Sequence, residues 1–209
     1  MKLALIQPCF FPYEGYFNIV QEADKVIFLD DVFFNSKDWI NKTILNIQDK
    51  NYYFRIPLEK NDNPILIKDA KYTTSAWKKK FIKVLNFNYK FKRGFDTVMP
   101  MIKEVFQVPG DSVSQLSAYS VFKTAELLNI KPKRGFTFSS TSHPEINTYL
   151  EDKILEICRK EKAREFLALP YFRGVLNPQD FNRHNIRLTF INSKYSKYSI
   201  IDKMMDMNI

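Results

Sequence analysis

Two neighbouring carboxylates, Asp30 and Asp31, directly follow an apolar run with the composition of a buried strand. Carboxylates at the end of a strand can act as a general base, accept hydrogen bonds from a ribose or a sugar, or hold a divalent metal. One of the two can instead cap the turn that follows. We predict Asp30 and Asp31 to be the catalytic residues, and we assign no metal ligands.

A second candidate is the loop between Gln7 and Tyr16, after the first apolar run. Two prolines and a glycine give this loop a defined shape, and a helix begins where it ends. Tyr13 and Tyr16 stand where adenylyl- and cytidylyltransferases with an H-x-G-H motif carry two phosphate-binding histidines. Tyrosine donates a hydrogen bond but lacks the imidazolium charge, so the loop predicts nucleotide binding without nucleotidyl transfer, unless both tyrosines only pack the loop down. The predicted substrate-binding residues here are Gln7, Pro8, Tyr13, Gly15 and Tyr16.

Aromatic, amide and cationic side chains flank a predicted β-hairpin further along the chain. Trp39 offers a stacking face, Asn41 an amide, and Lys42 and Arg55 two positive charges. This combination suits a sugar or nucleobase that is attached to a diphosphate. The ordinary surface of a hairpin explains the same residues nearly as well. We include these four residues among the predicted substrate-binding residues.

The cysteines and histidines are too isolated to suggest a metal centre. Cys9 and Cys158 are far apart, and neither they nor His143 and His184 form a recognised metal-ligand spacing. Cys9 lies in the Gln7 to Tyr16 loop, where a nucleophile for acyl transfer is one interpretation. Because no histidine stands beside it in the sequence, we favour a packed side chain.

A β-α-β unit is needed to hold the loop and the carboxylates in place. The pattern predicts a strand at 2–7, a helix at 15–23 and a second strand at 25–30. In open α/β sheets, ligands bind beyond the carboxyl ends of the strands. We therefore expect the loop and the pair Asp30 and Asp31 to line one crevice.

The remaining segments extend this unit to an α/β fold. They predict a hairpin at 40–46 and 51–57, a strand at 65–72, helices at 75–89, after Gly94 and at 113–128, a strand at 136–139, a helix from Ser142 to Lys162, a strand at 166–169, a short helix at 177–183, a strand at 186–191 and a terminal helix capped by Ser199. The helix from Ser142 depends on a capping box that ends at Glu145. We predict an open, mainly parallel, Rossmann-like sheet with an inserted β-hairpin and a helical segment. We expect one α/β domain over residues 1–209, with a helical insert at about 75–130.

Composition limits the class of protein. The chain has 32 lysines and arginines against 23 aspartates and glutamates, a net charge of +9, and 45% hydrophobic residues. Such a chain builds a core, and its charge favours a polyanionic partner such as a phosphate-bearing substrate, nucleic acid or an acidic membrane face. No nucleic-acid-binding motif is present, so we do not expect nucleic acid as the partner. With no signal peptide and no apolar run long enough to span a bilayer, we expect a cytoplasmic location.

Motifs at both ends of the chain are those of a bacterial protein family. They lie at 5–17, 23–24, 28–31, 39–41, 55–57, 77, 156–158, 163, 181, 186–190 and 199–202. In these motifs the sequence resembles the WbqC-like family, over essentially the whole chain but thinly from about 93 to 138. Two positions depart from that family: Phe81 stands where a histidine is expected, and 170–174 replace a glycine-rich turn.

The resemblance implies a role in surface-polysaccharide synthesis, because members of that family are encoded among genes for O-antigen (lipopolysaccharide) and capsule assembly. Some are described as transferring an acyl or aminoacyl group to a sugar. Our hypothesis is a transferase that modifies a nucleotide-linked amino sugar, with Asp30 or Asp31 as the base. The cofactor stays unknown, a thioester donor such as coenzyme A being one option, and so does the oligomeric state. The alternative is a non-catalytic nucleotide-sugar-binding protein of a glycan-assembly complex.

Overall fold

A computed structural model of the protein describes residues 1–192 and 196–208. The chain divides into two units. The first consists of Met1–Gln7, Gly15–Val32 and Ile130–Tyr195, and the second of Pro8–Glu14, Phe33–Asn129 and Ser196–Ile209. The single domain over residues 1–209 stays a prediction.

The described elements follow one another as a mixture of strands and helices. In chain order they are β1 (Lys2–Ile6), α1 (Glu14–Glu22), β2 (Lys25–Phe28), β3 (Lys42–Ile47), β4 (Lys50–Arg55), a 3-10 helix (Ile67–Asp69), α2 (Ala76–Tyr89), α3 (Phe95–Val105), α4 (Val113–Leu127), β5 (Phe136–Phe138), α5 (Ser139–Ser142), α6 (Leu150–Lys160), β6 (Glu165–Ala168), a second 3-10 helix (Pro170–Gly174), α7 (Pro178–Arg183), β7 (Arg187–Phe190) and α8 (Ile200–Asp206). Among the described residues, no helix is both long enough and apolar enough to cross a membrane.

The sheet of the first unit is parallel. Its described strands follow the order β5-β2-β1-β6-β7, and each neighbouring pair runs in the same direction. Strands β1 and β2 are buried along most of their length, as is typical of strands that are covered on both faces. The predicted α/β fold with an open, mainly parallel sheet is confirmed.

The helix predicted to start at the capping box of Ser142 is wrong in its first turns, because α6 begins only at Leu150. The Ser142 hydroxyl donates to the carbonyl of Phe138 at 2.7 Å, so it closes the short helix α5 and does not cap a new one. Glu145 pairs with Lys160 and does not reach back to Ser142. A capping-box pattern was present here, but its side chains have other partners.

The second unit contains the predicted hairpin and the predicted helical segment. Strands β3 and β4 pair antiparallel, with Lys42 opposite Arg55 at the open end. Helices α2, α3 and α4 lie close to the bounds predicted for them. The strand predicted at 65–72 is wrong: its backbone pairs only through the single bridges of Leu66, Lys71 and Tyr72, and a 3-10 helix lies between them.

An aromatic cluster forms part of the core of the second unit. Phe81 is fully buried, with its ring centroid 5.6 Å from Phe10, 4.5 Å from Phe54 and 5.8 Å from Phe106. Trp77 packs edge-on against Phe106 in the same cluster. The position at which the family resemblance suggested a histidine is therefore an apolar core position in this chain.

Candidate functional site

Asp30 lies just beyond β2, where residues that follow β5 enclose its carboxylate. Ser140 donates to it through the backbone N–H at 3.0 Å and through the hydroxyl at 2.6 Å. The Ser139 hydroxyl lies 3.2 Å from the same carboxylate. These contacts arise because β5 is the parallel neighbour of β2, so the residues after both strands meet at one edge. Asp30 is buried, and its hydrogen bonds link the end of β2 to the residues after β5.

Asp31 has a different environment. Its carboxylate accepts a hydrogen bond from the Ser139 hydroxyl at 2.5 Å and one from the Lys153 ammonium at 2.7 Å. Lys153 projects from α6, is buried, and also donates to the carbonyl of Ile146 at 2.7 Å. The Asp31 carboxylate is thus fixed by two donors, and 12% of the Asp31 side-chain surface is exposed.

We call Asp30, Asp31, Ser139, Ser140 and Lys153 the aspartate cluster. It places an oriented carboxylate, that of Asp31, at the carboxyl edge of a parallel sheet, which is where α/β proteins bind ligands. Such a group can accept a proton from a bound nucleophile. The sequence predicted the two aspartates but missed the other three residues. The serines had a usable signal, because Ser139 ends a predicted strand and Ser140 directly follows it, whereas nothing distinguished Lys153 from the other lysines of the chain.

His143 belongs to a separate polar group in the first unit. Its Nε2 lies 3.0 Å from a carboxylate oxygen of Glu161, which also accepts a hydrogen bond from Lys25 at 2.5 Å. Burial raises the pKa of Glu161, but the hydrogen bonds from Lys25 and His143 outweigh it and leave the pKa below its ordinary value. Because Lys25 opens β2, this group lies at the opposite end of that strand from Asp30.

Tyr16 closes the base of the predicted substrate loop. Its hydroxyl donates to the backbone carbonyl of Gln7 at 2.7 Å, and its ring packs against Phe17. Tyr16 and Gly15 are both buried. These contacts support the interpretation in which Tyr16 packs the loop down.

Tyr13 and Trp39 meet in the second unit. Their rings lie 5.8 Å apart in an edge-on arrangement, and Tyr13 is buried, as is Pro8. Asn41 is also buried, and its amide donates to the carbonyl of Ile56 at 3.0 Å. Its Oδ1 has no hydrogen-bond partner among the described residues. Trp39 is only partly buried, whereas Tyr13 is buried, so Trp39 has the more accessible ring of this aromatic pair.

Lys42 and Arg55 concentrate positive charge at the open end of the hairpin. They stand directly opposite each other in the register of β3 and β4. The Lys42 ammonium donates to the carbonyl of Lys37, and an Arg55 guanidinium nitrogen lies 3.4 Å from the carbonyl of Ser36. Burial and then the charge of Arg55 lower the pKa of Lys42. Two like charges at this spacing repel each other, so an anion bound between them is favoured.

Cys9 is a packed residue in the structure. Burial, followed by the nearby charge of Asp38, raises the pKa of its thiol, so the thiol stays protonated at neutral pH. Its backbone carbonyl accepts a hydrogen bond from the Ser120 hydroxyl at 3.3 Å. These observations support the packed interpretation over the nucleophile.

The predicted site residues fall in both units. Asp30 and Asp31, together with Gln7, Gly15 and Tyr16, belong to the first unit, and Pro8, Tyr13, Trp39, Asn41, Lys42 and Arg55 belong to the second. The structure brings together Asp30 with Asp31, and separately Tyr13 with Trp39 and Lys42 with Arg55. One crevice for all of them stays a prediction. Among the described residues, no group of three His, Cys, Asp or Glu side chains is arranged to hold a metal ion.

Comparison with known proteins shows that the chain matches one family model and is similar to a protein of Mycobacterium tuberculosis. The model of the WbqC-like protein family matches residues 7–204, a range that includes the aspartate cluster and the loop. The uncharacterized protein Rv1507c of Mycobacterium tuberculosis is 20% identical over 191 residues, which cover 90% of this chain and 81% of that protein. No solved structure matches the chain.

Proposed function

Because the chain belongs to the WbqC-like protein family, we propose that it is a transferase that modifies a nucleotide-activated amino sugar in O-antigen or capsule biosynthesis. The transferred group is an acyl or aminoacyl group, and the acceptor is the amine of the sugar. The resemblance supports the pathway, the substrate class and the acyl or aminoacyl transfer. The aspartate cluster supports the assignment of the base.

The observation that carries the proposal is the setting of Asp31. Its carboxylate is fixed from two sides, by Ser139 and by Lys153, and 12% of the side-chain surface stays exposed. A general base must be held in one orientation and must be reachable by the substrate, and partial exposure makes Asp31 the better candidate of the two. Asp30 is buried, and Ser140 occupies both of its oxygens, one through the backbone N–H and the other through the hydroxyl. We therefore assign the base to Asp31 and a positioning role to Asp30.

The proposed reaction is amide formation. The nitrogen of the neutral amine bonds to the carbonyl carbon of an activated acyl donor, and the attack makes that nitrogen strongly acidic. A carboxylate is then basic enough to accept the proton, and Asp31 does so. For a thioester donor, the carbon–sulfur bond breaks as the intermediate collapses, and the departing thiolate takes up a proton.

The nucleotide part of the substrate is assigned to the hairpin of the second unit. The repulsion between Lys42 and Arg55 affects Lys42 more than its attraction to Asp38 does, so a diphosphate between the two cations relieves this repulsion and gains charge-assisted hydrogen bonds. Trp39 supplies an accessible ring beside Tyr13 for stacking on a base or sugar. This assignment uses only contacts within the second unit.

The test combines ligand binding with product analysis. Thermal shift against nucleotides and nucleotide-linked amino sugars identifies the bound class, since a ligand that binds the folded state raises Tm. Each hit is then incubated with acyl thioesters and activated amino acids, and the sugar is analysed by mass spectrometry. We expect a mass increase that corresponds to one acyl or aminoacyl group.

Two variants make the test specific. Asp31→Asn should still be stabilised by the nucleotide sugar but should form no product, whereas the surface variant Asp180→Asn, which loses an exposed ion pair with Arg183, should behave as wild type. Stabilisation without a mass change for any donor would favour the non-catalytic binding protein. Full turnover by Asp31→Asn would overturn the assignment of the base.

A further inference from the structure

The segment around α2 has an unusual charge distribution. No aspartate or glutamate occurs between Asp69 and Asp96, while this stretch contains Lys71, Lys78, Lys79, Lys80, Lys83, Lys90, Lys92 and Arg93. Most of these cations are exposed. Lys71 and Lys92 pair with Asp111 and Asp206 from elsewhere in the chain, whereas no acidic residue of the segment itself neutralises the other cations.

Two phenylalanines protrude from this basic surface. Phe87 is 84% exposed and Phe91 is 95% exposed, whereas Trp77, Phe81, Leu85 and Tyr89 make up the buried face of α2. Phe91 lies two residues beyond the end of α2 and four residues after Phe87. Exposing two phenyl rings in water is unfavourable, and Phe87 also borders a separate pocket whose lining includes Asp202 and Asp206.

A groove lies beside α2 on the side of Phe87, because two of its lining residues, Lys79 and Lys83, precede Phe87 at spacings of four residues. It has a volume of about 660 Å³ and lies between α2 and α3, and its lining includes Lys79, Ile82, Lys83, Lys103 and Phe106. No carboxylate lines it. The lining therefore combines apolar side chains with ammonium groups, and Lys79, Lys83 and Lys103 form no ion pair with any described residue.

We propose that Phe87, Phe91, Lys79, Lys83 and Lys103 form a docking surface for the anionic lipids of a membrane leaflet. Phenyl rings enter the boundary between the headgroups and the acyl chains, and lysines pair with the lipid phosphates around them. A few exposed aromatics or a few lysines alone bind membranes weakly, and the combination of both signals gives stable attachment. This inference is independent of the transferase proposal, because it uses none of the residues assigned to that reaction.

The composition of the surface favours a lipid over nucleic acid. Planar, bidentate contacts to nucleic-acid phosphates are made by arginine, whereas the cations that line this groove are all lysines. Lysine side chains suit a membrane, because their long apolar stems let the ammonium reach the headgroup level beside an inserted phenyl ring. The absence of acidic residues over the segment is complementary to an anionic leaflet.

Vesicle sedimentation tests the proposal with the full chain. The probe is a phosphatidylcholine vesicle with about 30% phosphatidylglycerol, compared with a pure phosphatidylcholine vesicle. We expect the protein to sediment with the anionic vesicles only, and to dissociate progressively as salt is raised from about 0.1 to 0.5 M. Protein that stays in the supernatant with both vesicles would overturn the proposal.

Surface variants separate the contribution of the phenyl rings to vesicle binding from that of the lysines, without disturbing the core. Phe87→Ser with Phe91→Ser should weaken binding at least about tenfold. Replacing Lys79, Lys83 and Lys103 by glutamine should weaken it by about fivefold for each lysine and reduce its salt dependence. The matched control is Tyr149→Ser, because Tyr149 is an 89% exposed aromatic outside this segment, and it should bind as wild type.

Two results would contradict the docking surface. The first is binding of anionic vesicles by the phenylalanine double variant as tight as that of the Tyr149→Ser control, which would show that the rings do not insert. The second is binding of a labelled RNA oligonucleotide through the same lysines when the vesicles bind no protein. This result would identify nucleic acid as the partner.

Discussion

The ammonium of Lys153 lies 2.7 Å from a carboxylate oxygen of Asp31, and little of either side chain is exposed to water. Removing one partner of a buried ion pair leaves the other as an unpaired buried charge, which costs about 3 to 5 kcal/mol. We expect Lys153→Met to lower the free energy of unfolding by this amount, measured by urea denaturation. The methionine keeps most of the side-chain volume, so the loss reports on the charge.

A lysine at the end of the same helix, α6, provides the control. Lys160 pairs with Glu145, and both side chains are about half exposed. Lys160→Met should change the free energy of unfolding by no more than about 1 kcal/mol, because exposed ion pairs contribute little. Equal stability of the two variants would show that the pair of Lys153 and Asp31 is not a desolvated contact.

The two aspartates should differ in their effect on turnover, although both variants should lose stability. Asp30→Ala removes the acceptor of the Ser140 backbone N–H and hydroxyl, and we expect a loss of about 3 kcal/mol because hydrogen bonds to a charged group are involved. Asp31→Asn retains an oxygen for Ser139 but leaves the buried Lys153 ammonium without its counter-charge, so it should also lower stability, by about 3 to 5 kcal/mol, and it should abolish acyl transfer. Urea denaturation of both variants, followed by product analysis at a temperature where both are folded, checks this. Loss of turnover in Asp30→Ala alone would reverse the two roles.

The aspartate pair shows what local patterns in the sequence can predict. The apolar run of β2 and its break at Asp30 and Asp31 are local features, so the strand and its carboxylate end were visible directly. The serines that hold them lie more than a hundred residues away and reach them only because β5 pairs beside β2. Strand order is set by packing of the whole sheet, which no local pattern contains.

In both errors, residues with the predicted local pattern have other partners. Ser142 matched a capping box, but its hydroxyl donates to the carbonyl of Phe138 four residues earlier and its glutamate partner pairs with Lys160, so α6 begins later. The apolar run at 65–72 has strand composition but is paired only through single bridges, and a 3-10 turn forms between them. A local competitor replaced the cap, whereas tertiary context overrode strand propensity at 65–72.

Asp202 should make stability depend on pH in the second unit. Its carboxylate accepts hydrogen bonds from the Tyr89 hydroxyl at 2.5 Å and the Asn46 backbone N–H at 3.0 Å. Burial, together with the charge of Asp206, raises the pKa of Asp202 from 3.8 to about 6, although Tyr89, Asn46 and the charge of Lys92 act in the opposite direction. Between these values the folded state binds more protons than the unfolded chain, so stability falls as pH rises through this window.

The variant Asp202→Asn isolates this effect from the other carboxylates, because it keeps an acceptor oxygen but cannot titrate. The free energy of unfolding of wild type minus that of the variant should be highest near pH 4 and should decline until about pH 6. Urea denaturation at several pH values measures the difference. A difference that is constant over this range, or that increases with pH, would contradict the raised pKa.

Gly94 allows a steric prediction in the turn before α3. A Cβ atom at this position would lie 2.1 Å from the carbonyl oxygen of Met204, and the Gly94 N–H already donates to the carbonyl of Met205 at 2.9 Å. Its φ of −81° is accessible to any residue, so the requirement for glycine comes from the close approach of α8 and not from backbone conformation. The clash is with backbone atoms, which cannot rotate away as a side chain can. We expect Gly94→Ala to lower the free energy of unfolding by about 3 kcal/mol, or roughly 6 to 12 °C in Tm.

Gly174→Ala is the matched control for this substitution, since no described heavy atom lies within 4 Å of a Cβ built there. It should leave Tm unchanged or raise it slightly, because alanine reduces the conformational freedom of the unfolded chain. Thermal denaturation of the two variants side by side gives the comparison. Equal melting temperatures would mean that α8 does not pack against Gly94 as closely as described, and that the turn before α3 tolerates a side chain.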